Sequence, residues 1–137
     1  MKPFAALLLA AAVALAPAVS HAGKPERHKL VLQVSENDPA VWNLALNNAE
    51  NVQQAFGKDK VDVEIVAYGP GLNMFKDESK VADRLNAALD HNVGLLACGT
   101  TMKKMKLTQA NLAGGVKVVP GSIIHIMPRH AHPRDVR

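Results

Sequence analysis

Val93-Gly94-Leu95-Leu96-Ala97-Cys98-Gly99-Thr100-Thr101-Met102 runs from an apolar segment through a glycine break into a helix start. The apolar half has no polar alternation, as in a strand covered on both faces. Gly99 turns the chain, and threonine is the expected helix cap. A buried strand feeding a helix belongs to a parallel α/β sheet. Cys98 is the chain's single cysteine and lies at that junction. Unpaired N–H groups and the positive end of a helix dipole both favour the thiolate there. Gly99 is expected to leave the sulfur accessible, and Thr100 and Thr101 to cap the helix or bind an anion.

The same alternation of elements extends on both sides. Lys29-Leu30-Val31-Leu32-Gln33-Val34 reads as a strand. Asp38-Pro39 then opens a helix that Gly57 closes. Val41, Leu44, Ala45, Asn48, Val52 and Phe56 are expected on its buried face, with Asn48 as a polar intruder needing a hydrogen bond. Asn43, Asn47, Asn51 and Gln54 form a second face suited to packing against another copy, and Trp42 has a core or subunit-contact role. Lys60 to Ala67 reads as a strand, broken by Tyr68-Gly69-Pro70-Gly71. Ser79 to Asn92 carries a second helix through Val81, Leu85, Ala88 and Leu89. Beyond Cys98, Thr100 to Ala113 makes one broken helix or two short ones. Val116-Lys117-Val118-Val119 is a fourth strand, closed by Pro120-Gly121.

Strands alternating with helices imply parallel pairing and right-handed crossovers, giving one α/β sandwich. Ligands in such sheets gather at the carboxyl ends of strands, near a reversal of strand order. Ser35 to Asp38, Tyr68 to Gly71 and Cys98 to Thr101 all follow strands and meet at that edge. Gly69-Pro70-Gly71 serves either a ligand's close approach or a tight connection alone, and the tight connection is the default. His91 precedes the Cys98 strand and belongs at its far end, which rejects a cysteine-protease arrangement. His125, His130 and His132 lie among Pro128, Arg129, Pro133 and Arg134 with no fixed geometry, so no metal site is assigned. No nucleotide-binding motif occurs, and no cofactor is expected.

Composition narrows the function classes. The net charge is +4, and basic residues cluster only at Lys103-Lys104-Lys106 and near the carboxyl terminus. That is too scattered for nucleic-acid binding. Phe4 to Val19 is apolar behind Met1-Lys2, and Ser20-His21-Ala22 fits a cleavage pattern. Residues 1–22 are therefore expected to be a secretory signal peptide. Residues 23–127 form the domain, and residues 128–137 an irregular basic tail. The mature protein is expected to be exported, periplasmic or otherwise, with no membrane segment after cleavage. An exported chain with one cysteine has no internal disulfide, so the thiol is protected, reactive or paired between molecules.

The segments 29–34, Leu46-Asn47-Asn48-Ala49-Glu50-Asn51, 63–69 with Gly71-Leu72, Ala97-Cys98-Gly99-Thr100-Thr101-Met102 and Val118-Val119-Pro120-Gly121 resemble the exported branch of the DsrE/DsrF-like proteins, associated with sulfur relay. The resemblance implies a Rossmann-like three-layer sandwich with a mainly parallel sheet of four to five strands. It implies homo-oligomers, trimers or hexamers, and sulfur donor and acceptor proteins as partners. It implies a persulfide on a cysteine after a central strand, a role that falls on Cys98 alone. Ser35, Asn37, Gly69, Gly71, Gly99, Thr100 and Thr101 are the expected ligand-binding residues around it. The alternative is a small-ligand-binding or assembly module in which Cys98 is structural. Past Pro120-Gly121 the chain departs from the family pattern. Ser122 to Met127 begins a helix that Pro128 is expected to interrupt, and no aromatic final strand follows.

Overall fold

The computed structural model describes residues 27–130. The expected signal peptide at residues 1–22, His132 and the rest of the expected tail from residue 131 lie outside the described residues. Chain order is β1 (His28–Val34), α1 (Pro39–Phe56), β2 (Val61–Ala67), a 3-10 helix (Gly69–Phe75), α2 (Ala82–Asp90), β3 (Gly94–Cys98), α3 (Gly99–Met105), a 3-10 turn (Gln109–Asn111), β4 (Lys117–Val119) and α4 (Ser122–His130). The sheet has four strands in the order β1-β2-β3-β4, and every neighbouring pair is parallel.

Strand order therefore does not reverse among the described strands, contrary to expectation. Each crossover steps the same way across the sheet, so crossovers of one hand place their helices on one face. Trp42, Leu46 and Ala49 of α1, Leu85 of α2 and Met102 of α3 share the main core with Val63, Ile65, Ala67, Leu95 and Ala97. The opposite face carries a smaller cluster in which Ile126 of α4 meets Val66, Leu96 and Val119. Three layers result, the outer two unequal. Among the described helices, α4 alone covers the second face.

Local chemistry accounts for the elements. The Asp38 carboxylate accepts the Ala40 N–H at 2.8 Å and caps α1, with Pro39 in the first turn. The buried face of α1 is Trp42, Ala45, Leu46, Ala49 and Gln53. Asn48 is exposed, Leu44 is 57% exposed and Phe56 is 49% exposed, so the expected face is turned by part of a helical step. Trp42 decides the rotation. Its ring fills the core while its indole N–H donates to the Glu36 carbonyl at 2.8 Å, leaving no buried donor unpaired. The buried polar side chain is Gln53, whose Nε2 donates to the His91 carbonyl at 2.7 Å. Phe56 lies against the His28 ring instead, with centroids 4.7 Å apart.

Two residues of the Asn face of α1, Asn43 and Asn47, are bonded within the chain. Arg84 of α2 donates to Asn43 Oδ1 at 2.6 Å and to Asn47 Oδ1 at 2.8 Å. α4 runs through Pro128 to His130, past the expected interruption. Pro128 removes the donor for the Ile124 carbonyl. Ile124 is 75% exposed, so water can satisfy that carbonyl. No described helix is long and apolar enough to cross a membrane.

Candidate functional site

The carboxyl ends of β2, β3 and β4 converge around Cys98. Cys98 ends β3 and pairs in register with Val119 of β4. Ala97 packs into the main core and Leu96 into the second cluster. Strand alternation therefore sends the Cys98 side chain to the Leu96 face, beneath α4. Ser122, the first residue of α4, meets it there. The N–H and hydroxyl groups of Thr101 and of Ser122 face the sulfur and favour its charged form. Burial pushes the thiol up, but these four groups outweigh it and bring it down from 9.0 to about 7.

Thr101 joins two loops. Its Oγ1 accepts the Gly69 N–H at 3.0 Å, and its hydroxyl faces the sulfur. Thr100 Oγ1 donates to the Pro120 carbonyl at 3.1 Å, tying the start of α3 to the link before α4. Neither threonine caps α3. Cys98 itself is the cap residue, and its side chain makes no capping bond.

Two expectations about access are corrected. Cys98 is only 4% exposed rather than open. Gly99 does not leave space beside it, because a Cβ there would lie 3.0 Å from the Val119 carbonyl oxygen. That glycine serves the close approach of β4.

The other expected residues divide. Gly69 takes part through Thr101, in a left-handed conformation with φ 53° that suits glycine. Gly71 is a packing residue, since a Cβ would fall 2.2 Å from the Val34 carbonyl oxygen. Its N–H donates to the Ser35 carbonyl at 3.0 Å, so Ser35 contributes backbone to the tight connection. Asn37 lines a separate cleft of about 280 Å³ with Pro39, Trp42, Asn73 and Lys76. His91 precedes β3 at the end remote from Cys98, as expected. His125 Nε2 lies 3.0 Å from Glu64 Oε2 on the α4 face. Among the described residues, no group of three or more His, Cys, Asp or Glu side chains is placed to hold a metal ion. Ser122 was not anticipated. Its signal was a serine directly after Pro120-Gly121 at a strand end, the same strand-to-helix junction that marked Cys98.

The DsrE/DsrF-like family model matches residues 28–128. The chain belongs to the DsrE/DsrF-like family. The match to the DsrE/DsrF-like family spans β1 through most of α4. A protein of unknown function from Methanobacterium thermoautotrophicum, MTH1491, has a similar structure at TM-score 0.71 and 25% identity, over 74% of this chain and 90% of that one. The YchN protein of E. coli aligns at TM-score 0.59 and 13% identity, over 75% of this chain and 90% of that one, a likeness of fold alone. No curated protein matches the chain.

Proposed function

We propose that this DsrE/DsrF-like protein is an exported sulfur carrier in which Cys98 accepts and releases a sulfane sulfur. What carries this reading is the placement of a buried thiol against the N–H and hydroxyl groups of Thr101 and Ser122, which lower its pKa to about 7. A purely apolar setting would push a thiol the other way. The Cys98 thiol first gives its proton to water. The thiolate then attacks the outer sulfur of a donor persulfide, R–S–SH. A sulfur–sulfur bond forms at Cys98 and the donor's own sulfur–sulfur bond breaks, its electron pair leaving as R–S⁻. The sulfane sulfur passes without net oxidation, and an acceptor thiolate repeats the exchange. A thiol of this acidity is substantially ionised at neutral pH and is also a good leaving group.

Thr101 and Ser122 stabilise the anion in this scheme, and Gly69 orients Thr101. A donor protein and an acceptor protein are the partners, and a trimer or hexamer is the assembly. The apolar segment 4–19 with Ser20-His21-Ala22 supports export. The test is incubation with polysulfide followed by intact mass. One added sulfur atom is expected in the native protein and none in Cys98→Ser. An unmodified native protein overturns the reading.

The 4% exposure of Cys98 favours a second reading, a binding or assembly module with Cys98 as a packing residue. The Asn37 cleft is then the ligand site. A thiol inert to alkylation in the folded protein and reactive only after unfolding supports that reading over the first.

A further inference from the structure

We propose that α4 is a removable cover over the Cys98 sulfur, and that sulfur exchange at Cys98 takes place when α4 is displaced from the sheet. The inference rests on the carrier reading for its purpose and on packing for its support. A persulfide places a second sulfur atom beyond the first, and an incoming donor needs a path to it. Cys98 is 4% exposed and Ser122, whose N–H and hydroxyl reach the sulfur, is 5% exposed, so something adjacent has to move.

The neighbours differ in how firmly they are held. β3 is paired on both sides, with β2 and with β4. α3 is anchored by Met102 in the main core and by Thr101 to Gly69. α4 is the loosest. Of its apolar side chains only Ile126 is buried, while Ile123, Ile124 and Met127 are 53%, 75% and 66% exposed. His125 Nε2 lies 3.0 Å from Glu64 Oε2 of the sheet. A cleft of about 380 Å³ lies between Pro128 of α4 and Lys29, Val31, Asp62 and Glu64 of the sheet. Pro128 also interrupts the helix's own hydrogen bonding. Two helices reach the sulfur, α3 through Thr101 and α4 through Ser122, and α4 leaves most of its apolar side chains exposed. Low local stability of this kind is what permits opening without global unfolding.

The experiment measures the rate at which iodoacetamide labels Cys98 in the folded full chain, for the wild type, Ile126→Ala and Leu85→Ala. Ile126 is the apolar anchor of α4, whereas Leu85 lies in the main core under the other face. Ile126→Ala is expected to label roughly tenfold faster or more, from the size of buried aliphatic truncations. Leu85→Ala is expected to stay within about threefold of wild type if opening is local. Should Leu85→Ala not fold, Ile65→Val takes its place as the main-core control. Equal rates for wild type and Ile126→Ala, or equal acceleration by the main-core variant, overturn the proposal. Polysulfide loading is scored separately. Ile126→Ala that labels fast yet takes no sulfur defeats the carrier reading and leaves the cover standing. Loading of wild type with no effect of Ile126→Ala on labelling defeats the cover alone.

Discussion

Cys98 gains its acidity from donors on two different elements, so single substitutions should divide the effect. Alkylation of the wild type is expected to rise with pH through about 7. Thr101→Val removes the hydroxyl that faces the sulfur but keeps the backbone N–H, and its labelling midpoint should move upward, toward the ordinary thiol range. A rate-against-pH series for the two proteins checks this. The same shift has a stability sign. The folded thiol titrates below its unfolded value of 9.0, so its contribution is fully present above about 9 and is lost as pH falls through about 7. Urea midpoints of the wild type, less those of Cys98→Ser, should therefore increase across that window. The position of Cys98 at a strand end was legible from Val93 to Met102. Its burial was not. Closure depends on Ser122, which is far along the chain and meets the sulfur only once β4 and α4 are in place.

Element boundaries were legible where side chains act locally. Asp38-Pro39 and Gly57 mark α1 because capping and helix termination are near-neighbour effects. Its buried face was not legible, because apolar residues occur on both sides of it. Leu44 and Phe56 suggest one rotation, Trp42 and Leu46 the other, and Ala45 suits both. Gln53 follows from the true rotation. Its Nε2 is bonded, but its buried Oε1 has no hydrogen-bond partner. Gln53→Leu loses one bond and also removes that orphan acceptor. Its stability by urea unfolding should stay within about 1 kcal/mol of wild type. In α4, Pro128→Ala restores a donor to the Ile124 carbonyl and raises helix propensity. The helix should gain about 1–3 kcal/mol against local opening, read as slower hydrogen exchange of its amides.

Across the molecule, parallel alternation was legible from short apolar runs separated by amphipathic ones. Strand order was not, since pairing is settled by contacts distant in sequence. The order β1-β2-β3-β4 places the crossover helices on one face and leaves the other to α4. That side presents Ile123, Ile124 and Met127, all exposed. Such a cluster, near a strand with one neighbour among the described strands, favours association. Ile124→Glu, at a position 75% exposed, should change folding stability by less than about 0.5 kcal/mol. It should also shift sedimentation toward smaller species if self-association uses this side. An unchanged distribution assigns the contact to another surface.

The Gly69 amide and the Cys98 sulfur are linked through one hydroxyl. Thr101 Oγ1 accepts from the first and its hydroxyl faces the second. Charge appearing on sulfur draws that hydroxyl hydrogen toward it and enriches the oxygen that Gly69 touches. The amide resonance of a glycine on the neighbouring loop thus becomes a gauge of the thiol, and a nitrogen-labelled sample would follow ionisation of the sulfur without any probe on the sulfur itself.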